Sequence, residues 1–135
     1  MSQPNLYITL NAFARAVSAK ADEVCKSHGL TASYAFLLLG IMENPGSDQK
    51  TIGDMYHFAP STMTRFIDKL EKKELLTREQ DGKSVKLYLT KKGEKLTKDL
   101  SKAIRLFNSD LEKDLGDKYA DTLNRLLQFG IDELK

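Results

Sequence analysis

The residues with the most specific chemistry lie between Pro60 and Glu74. Placed on a helical wheel at about 100° per residue, the apolar side chains of this segment share one side. The opposite and flanking positions hold Ser61, Thr62, Thr64, Arg65, Asp68, Lys69 and Lys72. Small side chains let a helix enter the major groove of DNA, hydroxyls reach bases or phosphates, and arginine can bond guanine twice. We interpret the segment as a helix that could read double-stranded DNA.

Other reactive side chains form weaker patterns. Cys25 and His28 would share a helical face, but a metal site needs about four ligands, and the only other histidine is His57. The carboxylates within residues 110–114 have solvent-facing spacing. No phosphate-binding loop or nucleophile motif is present. We therefore expect no catalytic site, no metal, no cofactor and no enzymatic activity.

Composition narrows the class of protein. The chain has 135 residues, 41% of them hydrophobic and 30% charged, which is typical of one folded domain. A single cysteine excludes an internal disulfide and fits a reducing compartment. The longest apolar run, residues 34–42, is far shorter than the roughly 20 residues of a membrane span. With no signal-peptide pattern at the start, we expect a cytoplasmic protein without a membrane partner.

Charge is unevenly distributed. The net charge is only +2, but residues 60–95 contain ten Lys or Arg and six Asp or Glu. This segment therefore carries +4 and the rest of the chain −2. Such a local basic region is typical of a nucleic-acid contact, although a solvated face has the same composition.

Hydrophobic periodicity predicts the elements around the basic segment. A helix over 6–27 should end at Gly29, and a second helix, apolar on most sides and therefore buried, should begin at Thr31 or Ser33. Asp48 can cap a short third helix, and Pro60 suits the first position of the next. Two short helices joined by a tight turn are typical of a helix-turn-helix.

The pattern then changes to that of a hairpin. Apolar and polar residues alternate over 85–89, and Asp81-Gly82 is a two-residue turn signal. Folding back on that turn pairs Arg78 with Val85 and Leu76 with Leu87, which would turn Arg78 inward. The hairpin follows the helix-turn-helix directly.

Helical periodicity returns over 94–115 and 118–134. These helices and the helix over 6–27 carry more apolar surface than a small monomer core can cover, so we expect a homodimer. The predicted fold class is mainly α with a small β hairpin.

Several segments together resemble the MarR family of bacterial transcription regulators. They are Ser-Thr-Met-Thr-Arg-Phe-Ile-Asp-Lys-Leu-Glu-Lys-Lys (61–73), Leu-Leu-Thr-Arg (75–78), Asp-Gly-Lys (81–83) and Leu-Tyr-Leu-Thr-Lys-Lys-Gly (87–93). The resemblance covers nearly the whole chain. It implies a single winged helix-turn-helix domain that binds a pseudo-palindromic DNA operator as a homodimer, with a DNA-binding lobe at 30–92 and N- and C-terminal dimerisation helices at 1–29 and 93–135. It also implies a repressor modulated by a small ligand.

The resemblance assigns roles to individual residues. Ser61, Thr62, Thr64 and Arg65 match the recognition segment, and Lys83 matches the basic tip of the wing. Asp68 and Arg78 match the acid and the arginine that join the recognition helix to the wing. The chain departs from the family pattern in having a short wing, Lys83 in place of arginine, His57 in place of a turn glycine and Ala59 in place of a capping residue.

Three alternatives stay open. Family members bind small aromatic acids, which implies a pocket lined by Phe13, Tyr34, Phe36 and Phe107, although these residues could be ordinary core. Cys25 is either structural, which we favour, or a redox sensor of the kind that some family members carry. The short wing and modest net charge are also consistent with a winged helix that binds a protein and does not bind DNA specifically.

Overall fold

The structure is a computed structural model that describes residues 5–135. Its elements in chain order are α1 (Leu6–Cys25), one 3-10 turn (Lys26–His28), α2 (Ala32–Glu43), α3 (Gln49–Met55), α4 (Pro60–Lys72), β1 (Leu76–Asp81), β2 (Ser84–Leu89), α5 (Lys91–Leu115) and α6 (Asp117–Glu133). The predicted fold class, mainly α with a small β hairpin, is confirmed. The first four residues of the predicted dimerisation region lie outside the described residues.

Helix α2 forms the centre of the core, as its all-round apolar sequence predicts. Leu37 and Leu38 are fully buried, and the helix packs against α1, α5 and β2. Leu100 and Ile104 of α5 are buried in the same cluster. The central helix therefore links α1 and α5 to the wing.

The N-terminus of α2 is capped by a side chain from another helix. Thr31 occupies the N-cap position but makes no side-chain capping bond. The backbone N–H of Ala32 instead donates to Asp22 Oδ1 of α1 at 2.8 Å. Between the two helices, Gly29 adopts φ 73°, the left-handed conformation expected of a helix-terminating glycine.

The helix-turn-helix consists of α3, a turn at residues 57–59 and α4. Asp48 accepts a hydrogen bond from the Thr51 N–H at 2.8 Å and so caps α3 as predicted. His57 has φ 58°, so it occupies the left-handed conformation that glycine adopts more easily. Gly53 lets the helices meet closely, because a Cβ there would lie 2.8 Å from Met63 Cγ.

The hairpin forms as expected, but its predicted register is wrong. Arg78 lies opposite Leu87, and Leu76 lies opposite Leu89, so the turn is Gly82-Lys83 and not Asp81-Gly82. Gly82, with φ 62°, occupies the first central position of the turn, where a two-residue hairpin loop requires positive φ. A slip of two residues keeps every side chain on its predicted face.

The segment before α3 adds a contact that the sequence did not reveal. The Gly46 N–H donates to the Leu87 carbonyl, and the Leu87 N–H donates to the Ser47 carbonyl, both at 3.1 Å. Strand β2 is therefore bonded on both sides over this stretch, and the wing is attached to the helix-turn-helix through the backbone.

The terminal helices leave apolar side chains uncovered. Helix α6 has no buried residue, and its Leu126 and Phe129 are 63% and 65% exposed. At the other end of the chain, Leu6 of α1 is 74% exposed. In the described part of the chain, no helix combines the length and the apolar character that a membrane crossing requires.

Candidate nucleic-acid interface

Helix α4 divides into a buried side and an outward side, as the wheel predicts. Met63, Ile67 and Leu70 are buried to 1% exposure or less and attach the helix to the core. The exposed residues on the other side are Ser61, Thr64, Arg65, Lys69 and Lys72, with Thr62 and Asp68 half-buried. The predicted DNA-contacting side chains of this helix therefore form one continuous surface, on which Thr62 is partly covered.

The hydroxyl of Thr64 is held by its neighbours. It donates to the Pro60 carbonyl at 3.1 Å and accepts from the Gln49 side-chain amide at 3.3 Å. Gln49 is the first residue of α3, so it joins the two helices on their exposed side. Sequence reasoning missed Gln49; the signal was its position directly after the cap residue Asp48, where an N-terminal side chain faces the start of the next helix.

Two cations of α4 lie close to the faces of aromatic rings. The Arg65 guanidinium lies 5.6 Å from the centre of the Phe66 ring, and the Lys69 ammonium lies 5.2 Å from the centre of the Tyr34 ring. Within residues 5–135 neither cation pairs with a carboxylate. Both charges are therefore positioned yet available to an anionic partner.

Arg78 of β1 joins the wing to α4 through two carboxylates. Its guanidinium donates to Asp68, to Glu71 through Nη2 at 3.0 Å, and to Glu71 through Nε at 3.3 Å. The hydrogen bonds from Glu71 and then Asp68 raise the pKa of Arg78. Asp68 and Arg78 are thus in contact, and Arg78 lies on the predicted sheet face with Leu76 and the buried Leu87, turned toward α4, although its side chain stays 31% exposed.

Glu71 is the partner that sequence reasoning missed. It lies three residues after Asp68, so the two carboxylates share one face of α4. That spacing was visible in the sequence, but the wing register needed to place Arg78 beside both was not. The carboxylates of Asp68 and Glu71 neutralise Arg78, so the cations of α4 are left to supply the positive charge of this surface.

Lys83 is exposed at the tip of the wing. The turn beneath it is braced by Gln80, whose amide donates to the Gly82 carbonyl at 2.7 Å. Between the wing tip and the helix-turn-helix lies an open groove of about 420 Å³, with Phe58, Met63 and Val85 among its apolar residues. Lys83 thus lies at the edge of the same surface as the start of α4.

The structure does not bring the four aromatic residues of the implied ligand pocket together. Tyr34 packs on Phe66 with ring centres 4.5 Å apart, and Phe36 is half-buried against the core. Phe13 lines a cleft of about 580 Å³ between α1, α5 and α6, while Phe107 lines a separate groove between α1 and α5. The physical reason is that the four residues lie on three different helices: Tyr34 and Phe36 on α2, Phe13 on α1 and Phe107 on α5.

Cys25 is 1% exposed, and burial followed by the nearby Asp22 charge raises the pKa of its thiol. His28 Nδ1 lies 3.2 Å from the Ser27 hydroxyl. Among residues 5–135, no three His, Cys, Asp or Glu side chains lie close enough together to hold a metal ion. The environment of Cys25 is that of a core side chain.

Comparison with known proteins identifies a family that part of this chain resembles. The model of the MarR family matches residues 30–85, which include the helix-turn-helix and most of the hairpin. No curated protein matches the chain. The resemblance of this segment to the MarR family is therefore confirmed.

Solved structures extend the likeness over the whole chain. The Staphylococcus aureus (S. aureus) MepR–DNA complex is 18% identical, covers 98% of this chain and 100% of its own, and has a TM-score of 0.84. The PcaV regulator of Streptomyces coelicolor, with its natural ligand, is 20% identical, covers 100% of both chains and has a TM-score of 0.81. The repressor CouR on a 23-mer DNA duplex is 23% identical over 93% of this chain and 91% of its own, with a TM-score of 0.80. The chain has the winged-helix fold of MarR-type regulators, including their terminal helices.

Proposed function

We propose that the protein is a sequence-specific transcription regulator that binds a pseudo-palindromic double-stranded DNA operator as a homodimer. The observation that carries the proposal is the outward face of α4. Its buried residues anchor the helix, while Arg65 and Lys69 have no carboxylate partner among residues 5–135 and lie beside a row of hydroxyls. A rigid helix with this surface is suited to the major groove.

Each α4 residue takes a role that follows from its position. Ser61, Thr62 and Thr64 lie in the first turns, where an inserted helix approaches base edges and phosphates. Arg65 reads a base, and Lys69 and Lys72 bind the phosphate backbone farther along. Lys83 binds phosphates or enters the adjacent minor groove from the wing tip.

The cluster of Asp68, Glu71 and Arg78 supports this surface without reading DNA. It fixes the distance between α4 and β1 through charge-assisted hydrogen bonds. Because Lys83 sits at the end of the same hairpin, Arg78 sets where the wing tip meets the duplex.

Dimerisation follows from the terminal helices. The exposed apolar side chains of α1 and α6 favour burial against a second copy, and the dimer places two copies of α4 on one face of the DNA. The dimerisation region we propose is 1–29 with 93–135, and the DNA-binding lobe is 30–92.

A small ligand modulates binding in this proposal, and the protein acts as a repressor in the cytoplasm of a bacterium. Support comes from neighbours of the same fold, one with its natural ligand and one named a repressor bound to DNA. Because Phe13 and Phe107 line separate clefts on the terminal helices, an effector pocket would be completed only by the second copy.

The experiment is recovery of genomic DNA fragments on the purified protein. We expect the fragments to share one pseudo-palindromic sequence whose half-sites lie about 10 base pairs apart, one turn of DNA. A matched control is Arg125→Ala, which removes an exposed arginine of α6 and should recover the same fragments. Fragments without a common sequence would contradict the proposal and favour a winged helix that binds a protein.

A further inference from the structure

A row of cations runs along the solvent side of α5. Its members are Lys91, Lys95, Lys98, Lys102 and Arg105, here called the α5 basic stripe. Their spacing of four, three, four and three residues keeps all five within about 80° of the helix circumference and spreads them over about 21 Å. All five are exposed.

The stripe lies opposite the core. Leu100 and Ile104 are buried on the other side of α5. Within the described residues, no cation of the stripe forms an ion pair. Residues 91–105 carry six basic and two acidic side chains, a net charge of +4, which is twice the net charge of the chain. Like charges at this spacing repel one another, so the row weakens the isolated helix and gains stability from an anionic partner.

The stripe is continuous with the candidate DNA surface. The Lys92 ammonium donates to the Lys73 carbonyl at 3.1 Å, and the Thr90 hydroxyl donates to the Glu74 carbonyl at 2.7 Å. The start of α5 is thereby fixed to the end of α4, where Lys72 and Lys73 are exposed. Positive charge thus continues from the DNA-reading helix onto α5.

The stripe is poorly suited to bind a second copy of the chain. The cores of protein interfaces are depleted of charged residues. Most of the exposed apolar side chains that a second copy would cover lie elsewhere, on α1 and α6, at Leu6, Tyr7, Leu126 and Phe129; on α5, Leu106 is exposed beside the end of the stripe. A polyanion complements the row in charge, and evenly spaced cations match the repeating phosphates of a nucleic-acid strand.

We propose that the α5 basic stripe binds the phosphate backbone of DNA that flanks the operator. The inference rests on the proposed function and extends it: the protein contacts DNA beyond the two half-sites, without reading sequence there. The flanking duplex reaches α5, either straight or bent, and adds affinity through phosphate contacts alone.

The test compares duplex length. One duplex of about 20 base pairs contains the sequence recovered from the genomic fragments, since two half-sites one turn apart span about this length. The other extends it to about 40 base pairs with neutral sequence. The stripe variant is Lys95→Gln/Lys98→Gln/Lys102→Gln, and the matched control, Lys20→Gln/Lys26→Gln/Lys118→Gln, removes three exposed lysines outside the stripe. Binding of each protein to each duplex is measured by fluorescence anisotropy across a salt series.

The wild-type protein should bind the longer duplex more tightly and with a steeper salt dependence. The stripe variant should lose about tenfold in affinity for the longer duplex only, and its log–log salt slope should fall by about 2.7, roughly 0.9 for each lost phosphate contact. The control should keep the length effect.

Three results would overturn the inference: no length effect in the wild type, equal losses on both duplexes, or equal losses in the control. If the stripe variant instead loses binding to polyglutamate and keeps DNA binding, the stripe docks an acidic protein and the inference is wrong. A wild-type protein with no preference for the recovered sequence would contradict the proposed function alone, because the length comparison needs only affinity for long DNA.

Discussion

Gly93 of α5 lies directly against the backbone of Leu75. A Cβ atom built on Gly93 would lie 1.9 Å from the Leu75 carbonyl oxygen. That oxygen also accepts a hydrogen bond from the Thr90 N–H, and the Thr90 hydroxyl accepts from the Gly93 N–H at 2.9 Å. At Gly93, the end of α4, the wing and α5 therefore meet without room for a side chain.

Gly93→Ala should destabilise the protein by about 1–3 kcal/mol, because backbone must shift to admit the methyl group. Urea denaturation measures the change. Gly130→Ala is the control: it lies in a helix with nothing within 4 Å of its Cβ position, and alanine should gain up to about 1 kcal/mol there. Equal stability of Gly93→Ala and the wild type would show that the joint is not tight.

Replacing Arg78 should weaken DNA binding more than it weakens folding. Arg78→Gln leaves Asp68 and Glu71 unpaired beside the recognition surface, where their repulsion of phosphates should cost about fivefold in affinity, near 1 kcal/mol for an exposed charge pair. Because the ion pair is partly exposed, the loss of stability should stay below about 1 kcal/mol.

The matched control for this charge is Arg125→Gln, which breaks the exposed pair with Asp121 on α6 and removes the same charge. The affinities of the two variants for one duplex should differ, with the larger loss in Arg78→Gln. If both lose affinity equally, the cluster has no special part in binding.

Cys25 should be dispensable. Burial raises the pKa of its thiol, so little thiolate exists at neutral pH, and the thiolate is the reactive form. Cys25→Ser should keep its DNA affinity, and peroxide should release neither variant nor wild type from DNA. Release of the wild type alone would establish a redox sensor.

The full chain should be a dimer in solution, with twice the 15.2 kDa mass of one chain by light scattering. Leu126→Glu/Phe129→Glu adds charge to the exposed apolar side of α6 and should give a monomer that keeps its helical content. Gln128→Glu, on an exposed position about 100° or more around the same helix from both residues, should remain a dimer. A stable full-length monomer of the wild type would refute this account of the terminal helices.

Sequence periodicity predicted the features of the fold that depend only on residue spacing within one helix or strand. The buried and outward sides of α4 and the all-round burial of α2 follow from local spacing alone. The features it missed involve partners far apart in the chain: Asp22 capping α2, and Glu71 meeting Arg78. The register error has a local cause, because Asp81-Gly82 and Gly82-Lys83 are both acceptable turns until the pairing of Leu76 with Leu89 selects one.

The central claim is that α4 reads base sequence and the wing binds backbone. Loss of a bidentate base contact costs about 1–3 kcal/mol at one base pair, whereas loss of one phosphate contact weakens all sequences alike and lowers the salt slope by about one unit. Arg65→Lys keeps the positive charge that Arg65→Ala removes but lacks the planar fork, so the pair separates base reading from simple charge.

The measurement is affinity for the recovered operator and for a scrambled duplex across a salt series, with folding checked by circular dichroism. Arg65→Ala and Arg65→Lys should both lose operator binding far more than scrambled-duplex binding, while Lys83→Ala should weaken both duplexes similarly. If Arg65→Ala binds the operator as tightly as the wild type, α4 is not the reading helix, and a winged helix that binds a protein becomes the better account.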